Sequence, residues 1–196
     1  QYFYEPFLEA FDPGLRKELG VWYTPREVVQ YMVARVDTVL REELGIKRGL
    51  ADEQVVVLDP CCGTGAYLVE VLHLIGRTLR EEGGDALLAS DLRKAAQERV
   101  FGFELLPAPF VVSHLQLGLL LQRLGAPLQD NDRAGVFLTN ALTGWTTDNV
   151  QHLPFPELEE ERELAEEVKR QKKVLVILGN PPYNGFAGIT ESKEER

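Results

Sequence analysis

Four short apolar runs, each ended by a polar residue and separated by helix-patterned segments, leave this chain few folds to choose from. The runs are "QVVVLDP", "RVFGFEL", "GVFLTNAL" and "KVLVILGNPPY". Between them stand "AYLVEVLHLIGRTLREEG", "APFVVSHLQLGLLLQRLG" and an acidic helical stretch. Strands that are apolar at nearly every position are buried on both faces, and strands alternating with helices mean a parallel sheet with crossover helices. The predicted class is therefore α/β. Ahead of the sheet, "TPREVVQYMVARVDTVLREELG" reads as a helix. Thr24 is its expected N-cap, Pro25 its first helical residue, and Gly45 its stop. Val28, Met32, Val36, Val39 and Leu40 form its expected apolar stripe. The mixed stretch before Gly20 also reads as helical.

In open α/β sheets, ligands bind beyond the carboxyl ends of the strands. Asp59, Glu104, Asn140 and Asn180 stand at those ends, one for each run, and are expected to converge on one crevice. "VLDPCCGTG" places a glycine turn between strand and helix. Gly63 and Gly65 let the backbone approach a ligand, with helix N–H groups behind. The turn lacks the spacing of a dinucleotide fingerprint and the lysine of a phosphate-binding loop. A carboxylate at Asp59 would repel a pyrophosphate and hold an ammonium group, which favours a zwitterionic nucleoside such as S-adenosylmethionine. Glu104 can accept both hydroxyls of a ribose. Asn140 can meet an adenine edge with a donor and an acceptor.

The stretch "LGNPPYNG" is a rigid corner at the mouth of the last run, because proline cannot continue a central strand. Stiffening Asn180 and Tyr183 there has a chemical use. The exocyclic amine of a base is a poor nucleophile, since its lone pair is delocalised into the ring. Two acceptors on its two N–H bonds favour a more tetrahedral nitrogen as positive charge develops. The Asn180 side-chain carbonyl and the Pro181 backbone carbonyl are such a pair, fixed in advance by Pro181 and Pro182. Tyr183 offers a face on which an extruded base can stack. Asn180 is neutral and is no general base, so the proton leaves after transfer.

Composition sets wider bounds. The 196 residues are 44% hydrophobic and 27% charged, ordinary for a soluble domain with a real core. The net charge of −10 argues against a basic nucleic-acid-binding face, but "PELEEERELAEE" concentrates the acid and reads as a solvated helix face. No uncharged apolar stretch approaches the ~18 residues of a membrane span. Adjacent Cys61 and Cys62 cannot staple a fold and fit a reducing, cytoplasmic setting. With no second pair and no nearby His they make a poor zinc site, and His73, His114 and His152 lack ligand spacing, so no metal is expected. Trp22, beside Tyr23, reads equally as packing on a cofactor or in the core, and Trp145 reads as a loop anchor ahead of a DNA contact.

"DPCCGTG" and "NPPY", preceded by "GVWYTP", resemble the motifs of the N6-adenine DNA methyltransferases in their gamma order. The lead-in "YFYEPFLEAFDPGLRKELGVWYTPREVV" further resembles single-chain restriction–modification enzymes of the type ISP and type IIG kind. The resemblance implies a class I S-adenosylmethionine-dependent methyltransferase fold, Rossmann-like. Tyr23, Thr24 and Pro25 would line the methionine end of the cofactor. Asp59, Pro60, Cys61, Gly63 and Gly65 would cradle it, Glu104 would hold the ribose, and Leu105 would lie against the adenine. Asn140 stands where the family often has Asp. Asn180, Pro181, Pro182 and Tyr183 would hold the target adenine. The implied partner is double-stranded DNA, bound through regions outside this chain, with nuclease or helicase domains in the same polypeptide and no membrane. The family's further strands and its target-recognition domain should follow "NPPY", and only residues 184–196 do. The expected organisation is a helical segment over 1–50 carrying the YTP motif and a partial core over 51–196, truncated after its fourth strand and inactive alone. A glutamine-amide or RNA methyltransferase, and a non-catalytic nucleoside-binding scaffold, remain as alternatives.

Overall fold

The computed structural model describes residues 24–83, 85–130, 132–144 and 156–182. Tyr23 and Tyr183, like Trp22, Trp145, His152 and the stretch before Gly20, lie outside the described residues. The elements are α1 (Arg26–Glu42), β1 (Val57–Asp59), α2 (Ala66–Gly83), α3 (Asp85–Glu98), β2 (Val100–Glu104), α4 (Pro107–Arg123), β3 (Val136–Leu138), α5 (Pro156–Gln171) and β4 (Val176–Ile177), with a short 3-10 turn at Gly49–Ala51.

All four strands are parallel and lie in the order β3-β2-β1-β4. The chain moves outward from β1 through β2 to β3, then returns to pair β4 on the other side of β1. The order therefore reverses between β1 and β4, which is where open α/β sheets leave a crevice for ligands. Alternation along each strand sends side chains to two faces. Val57, Val100, Val136, Val176 and Leu178 pack with α1 to α4, in a core that includes Val33, Leu68, Val71, Leu72, Ile75, Leu92, Leu117 and Leu121. Leu58, Phe101, Phe103 and Phe137 point the other way and meet Ala165 and Val168 of α5. The acidic helix is thus more than a solvated face. It covers the second side of the sheet, and its carboxylates are tied by Arg162 to Glu159 and Glu166, and by Arg133 to Glu161.

Three details differ from expectation. Thr24 does not cap α1. Pro25 takes the N-cap position with extended backbone (φ −54°, ψ 144°), and among the described residues no side chain caps the helix. Its carbonyl accepts from the Val28 and Val29 amides at 3.0 and 3.1 Å, the opening backbone bonds of the helix. The buried stripe runs through Val29, Val33 and Leu40, which turns Val28 outward to 43% exposure and leaves Met32 and Val36 at its margin. Between α2 and β2, the segment "DALLASDLRKAAQE" forms α3. Its buried residues Leu88, Leu92, Ala95 and Ala96 do keep helical spacing, but two of the four are alanines, a weak apolar signal in sequence.

The amino ends of the strands are closed by Arg99. Its guanidinium is buried and donates to the carbonyls of Leu50 at 2.8 Å, Ala51 at 3.2 Å and Val55 at 3.3 Å. A charged cavity of about 270 Å³ opens beside it, lined by Arg48, Glu53, Asp91 and Lys94 among others, at the end of the sheet remote from the polar strand termini.

Close packing behind the glycine turn gives a first prediction. A Cβ on Gly102 would stand 2.6 Å from Leu68 Cδ1 and 3.0 Å from Cys62 Sγ. Gly102→Ala should cost about 1–3 kcal/mol, as overpacking does in a dense core. A urea midpoint equal to the wild-type value would contradict this packing.

Candidate active site

The carboxyl ends of β1 and β2 carry Asp59 and Glu104, and the loops just beyond β3 and β4 carry Asn140 and Asn180. All four are at the same end of the sheet. The glycine turn that follows β1 is held from three directions. The Cys62 amide donates to the Phe103 carbonyl at 2.9 Å. The Gly63 amide donates to Glu104 Oε2 at 2.9 Å. On α4, Gln116 donates from its side-chain nitrogen to the Thr64 carbonyl at 2.9 Å. Gly63 and Gly65 adopt φ of +56° and +85°, a region that side chains strain, so the turn needs glycine at both. Behind Gly65 there is room for little else, since a Cβ there would meet Ser113 Cβ at 3.1 Å.

Asp59 is 1% exposed. Its Oδ1 accepts from the Cys61 amide at 3.1 Å. Its Oδ2 is buried without a hydrogen-bond partner among the described residues, as is the Thr64 hydroxyl oxygen in the adjacent turn. Burial, and then the nearby Glu104 carboxylate, work against the charged form, while the Cys61 amide supports it. The net effect pushes the Asp59 carboxyl up to about 7. A buried acceptor with one idle oxygen beside a backbone cradle is suited to a cationic group carrying N–H donors. The residues thus fit the ammonium end of a zwitterionic nucleoside.

Glu104 links the rims of two strands: Oε2 takes the Gly63 amide and Oε1 the Leu106 amide at 2.8 Å. These two bonds fix the carboxylate plane and leave lone pairs over. Leu105, next to it, is 64% exposed, a free apolar surface beside that carboxylate. Pro60 and Cys61 are half-buried in the turn, and burial raises the Cys61 thiol, so no thiolate nucleophile stands there. Asn140 is exposed, and its Oδ1 accepts from the Leu142 amide at 2.9 Å, closing an Asx turn.

The last strand brings the proline corner to this rim. The Leu178 amide donates to the Leu58 carbonyl at 3.1 Å, which carries the β1–β4 pairing one residue further toward Asp59. A Cβ on Gly179 would collide with Asp59 Oδ1. Only a glycine lets the chain pass this close, so Asn180 begins directly beside the buried carboxylate. Asn180 is half-buried, and Pro181 and Pro182 are exposed. Thr24 is half-buried and Pro25 exposed at the head of α1, whose Met32 Sδ accepts from the Tyr67 hydroxyl of α2 at 3.0 Å. Sequence reasoning missed Gln116 and Ser113, which brace the turn from α4. Their signal was only the helical spacing that put both on the face toward "CCGTG".

A parallel sheet with a strand-order reversal, a glycine turn behind a buried acid and a proline corner beside it define an open α/β protein with its polar strand ends on one rim. Residues 2–196 match the family described as N-6 DNA Methylase, and the chain belongs to that family. The methylase subunit of the type I restriction enzyme EcoEI from Escherichia coli is 26% identical over 160 residues, covering 75% of this chain and 28% of the relative. Among solved structures, the DrdV–DNA complex matches 91% of this chain and 16% of its own, at 26% identity and TM-score 0.71. The ATP-dependent type ISP restriction–modification enzyme LlaBIII bound to DNA matches 92% of this chain and 12% of its own, at 22% identity and TM-score 0.69, and supports the fold. The chain spans about a quarter of the curated relative's length and less of the solved enzymes.

Proposed function

We propose that this chain is the catalytic core of a DNA adenine-N6 methyltransferase within a restriction–modification enzyme, working on double-stranded DNA from S-adenosylmethionine. The observation that carries the reading is the contact of Gly179 with Asp59, which sets the proline corner against the acid of the cofactor turn. Residues 1–50 supply the lead-in with the YTP motif and residues 51–196 the α/β core. Target recognition, and any nuclease or ATP-driven motor, belong to other parts of the polypeptide, which acts in the cytoplasm.

Asp59 holds the ammonium group, the Gly63–Gly65 turn lies along the methionine portion with Tyr23, Thr24 and Pro25, and Glu104 orients the ribose. Leu105 and Asn140 take the adenine. When bound, S-adenosylmethionine supplies a methyl group on a positively charged sulfur, open to attack from the side opposite that sulfur. Asn180 and the Pro181 carbonyl receive the two N–H bonds of the target amine and hold its nitrogen in line. Tyr183 stacks on the extruded ring. Charge that develops on the nitrogen meets two oriented oxygens, and the rigid prolines keep them from having to reorganise. The idle Asp59 oxygen and the burial of that carboxyl support the cofactor assignment.

The pH dependence follows from Asp59. Its carboxyl titrates near 7 in the free protein, and an ammonium partner favours the charged form. Affinity for the cofactor should therefore rise about tenfold per pH unit toward 7 and level off above it. Calorimetry in buffers of different ionisation enthalpy should show proton release on binding below that pH. Affinity that is flat from pH 5 to 8 would rule Asp59 out as the ammonium's partner.

The activity itself is tested by supplying methyl-labelled S-adenosylmethionine and DNA to the intact polypeptide and digesting the product. Label should appear in N6-methyladenine. Label in a cytosine, in RNA or on a protein glutamine, or no transfer despite binding, would replace this reading with another.

A further inference from the structure

On the far side of the sheet from the glycine turn, Lys169 of α5 is 6% exposed. Its ammonium donates to three oxygens of the turn that follows β3: Thr139 Oγ1 at 2.9 Å, the Asn140 carbonyl at 2.8 Å and the Thr143 carbonyl at 2.8 Å. The fourth side is closed by the Phe103 ring, whose centroid is 5.0 Å away. Three donors meet three acceptors, so the ammonium is fully used. No carboxylate bonds to it among the described residues. Glu166 is the acid whose field reaches it, and that carboxylate is already held by Arg162 at 2.6 Å and Arg170 at 2.8 Å. Burial accordingly pushes the Lys169 ammonium down to about 8.

Burying a cation on carbonyl dipoles alone is costly, and a leucine or methionine would fill the same space without that cost. What the ammonium adds is direction. It draws two carbonyls and a hydroxyl of residues 139–143 inward, while the Asn140 side chain closes the turn through the Leu142 amide. The same turn is tied to the cofactor rim, since the Thr139 amide donates to the Glu104 carbonyl at 2.8 Å. We infer that Lys169 is a positioning residue for the nucleoside end of the cofactor pocket, anchoring from beneath the turn that presents Asn140 beside Glu104. The inference rests on the proposed reading of Asn140 as a contact for the cofactor's adenine. Lys169 itself touches no reacting atom.

The test uses the intact polypeptide and S-adenosylmethionine as probe. Lys169→Met keeps the length and apolar stem and removes the charge. Its Kd for the cofactor should rise about 10–100-fold, the effect of losing hydrogen bonds from a charged donor, while kcat at saturating cofactor stays within about threefold of wild type. A loss of folded protein would instead lower kcat per mole and leave the Kd of the remaining active fraction unchanged. Thr139→Val removes one of the three oxygens and guards against a methionine variant that fails to fold. It should weaken cofactor binding about two- to tenfold alone, and add little in the Lys169→Met background. Equal Kd for wild type and both variants would overturn the inference while leaving the function intact. A wild-type protein that binds no S-adenosylmethionine would remove the functional reading and this inference with it.

Discussion

Asn180→Ala should reduce kcat for methyl transfer by at least about 10²–10³-fold, the cost of removing one preorganised acceptor or donor from an electrostatic site. Cofactor affinity should change by less than about twofold, because the residues proposed to grip the cofactor lie ahead of α1 and at the ends of β1, β2 and β3 rather than on the proline corner. The reasoning is geometric. The corner is placed by the β1–β4 pairing and by the passage of Gly179 against Asp59, neither of which involves the Asn180 side chain. Replacing that side chain keeps the β1–β4 pairing and the Gly179 passage, and in the proposed reading deletes one acceptor from the amine's environment. Asn180→Asp retains an acceptor in the same place and should recover at least about tenfold over the alanine variant, since acceptance and not proton abstraction is the task. Single-turnover kinetics on DNA with saturating cofactor separates these outcomes. Alanine and wild type with equal rates would remove the corner from the chemistry.

Asp59→Asn should have two opposite effects at once. Cofactor affinity should fall by about 3 kcal/mol or more, because a buried ammonium would lose its charged partner. The free protein should become more stable by about 1–3 kcal/mol at pH 8, as relief of a poorly partnered buried charge allows. The sign follows from linkage. The folded carboxyl titrates near 7, above its ordinary value of 3.8, so the ionised form is disfavoured by folding. That carboxyl costs nothing below about pH 4, and its cost grows as pH rises through about 4 to 7, reaching on the order of 4 kcal/mol at full ionisation. The gap in Tm between Asp59→Asn and wild type should open over that window. A variant that is less stable than wild type at pH 8 would mean that Asp59 is a structural acid, not one held ready for a ligand.

Much of this site was legible in sequence because its parts are chemically unusual. Prolines directly after a strand, paired glycines between strand and helix, and an acid ending an apolar run each break the pattern of a plain α/β core. The structure puts Asp59, Glu104, Asn140 and Asn180 at one end of the sheet as expected. Strand order was not legible, since nothing local says that β4 returns beside β1. That long-range pairing is what sets the Asn180 end beside Asp59. Helix α3 was hidden by its alanines, and α1 starts from Pro25 rather than from the expected Thr24 cap. Lys169 was hidden for another reason. Within "EEVKRQKK" it looks like one more surface cation, and only the packing of α5 on Phe103 buries it.

The most direct measurement is a structure of the intact polypeptide with S-adenosylhomocysteine and DNA. The ammonium should lie within hydrogen-bond reach, about 3 Å, of Asp59 Oδ2, with the ribose on Glu104 and the sulfur facing the Asn180 amide across the β1–β4 reversal. A ligand seated elsewhere, for instance in the charged cavity beside Arg99, or an Asn180 side chain turned away from the sulfur, would contradict it.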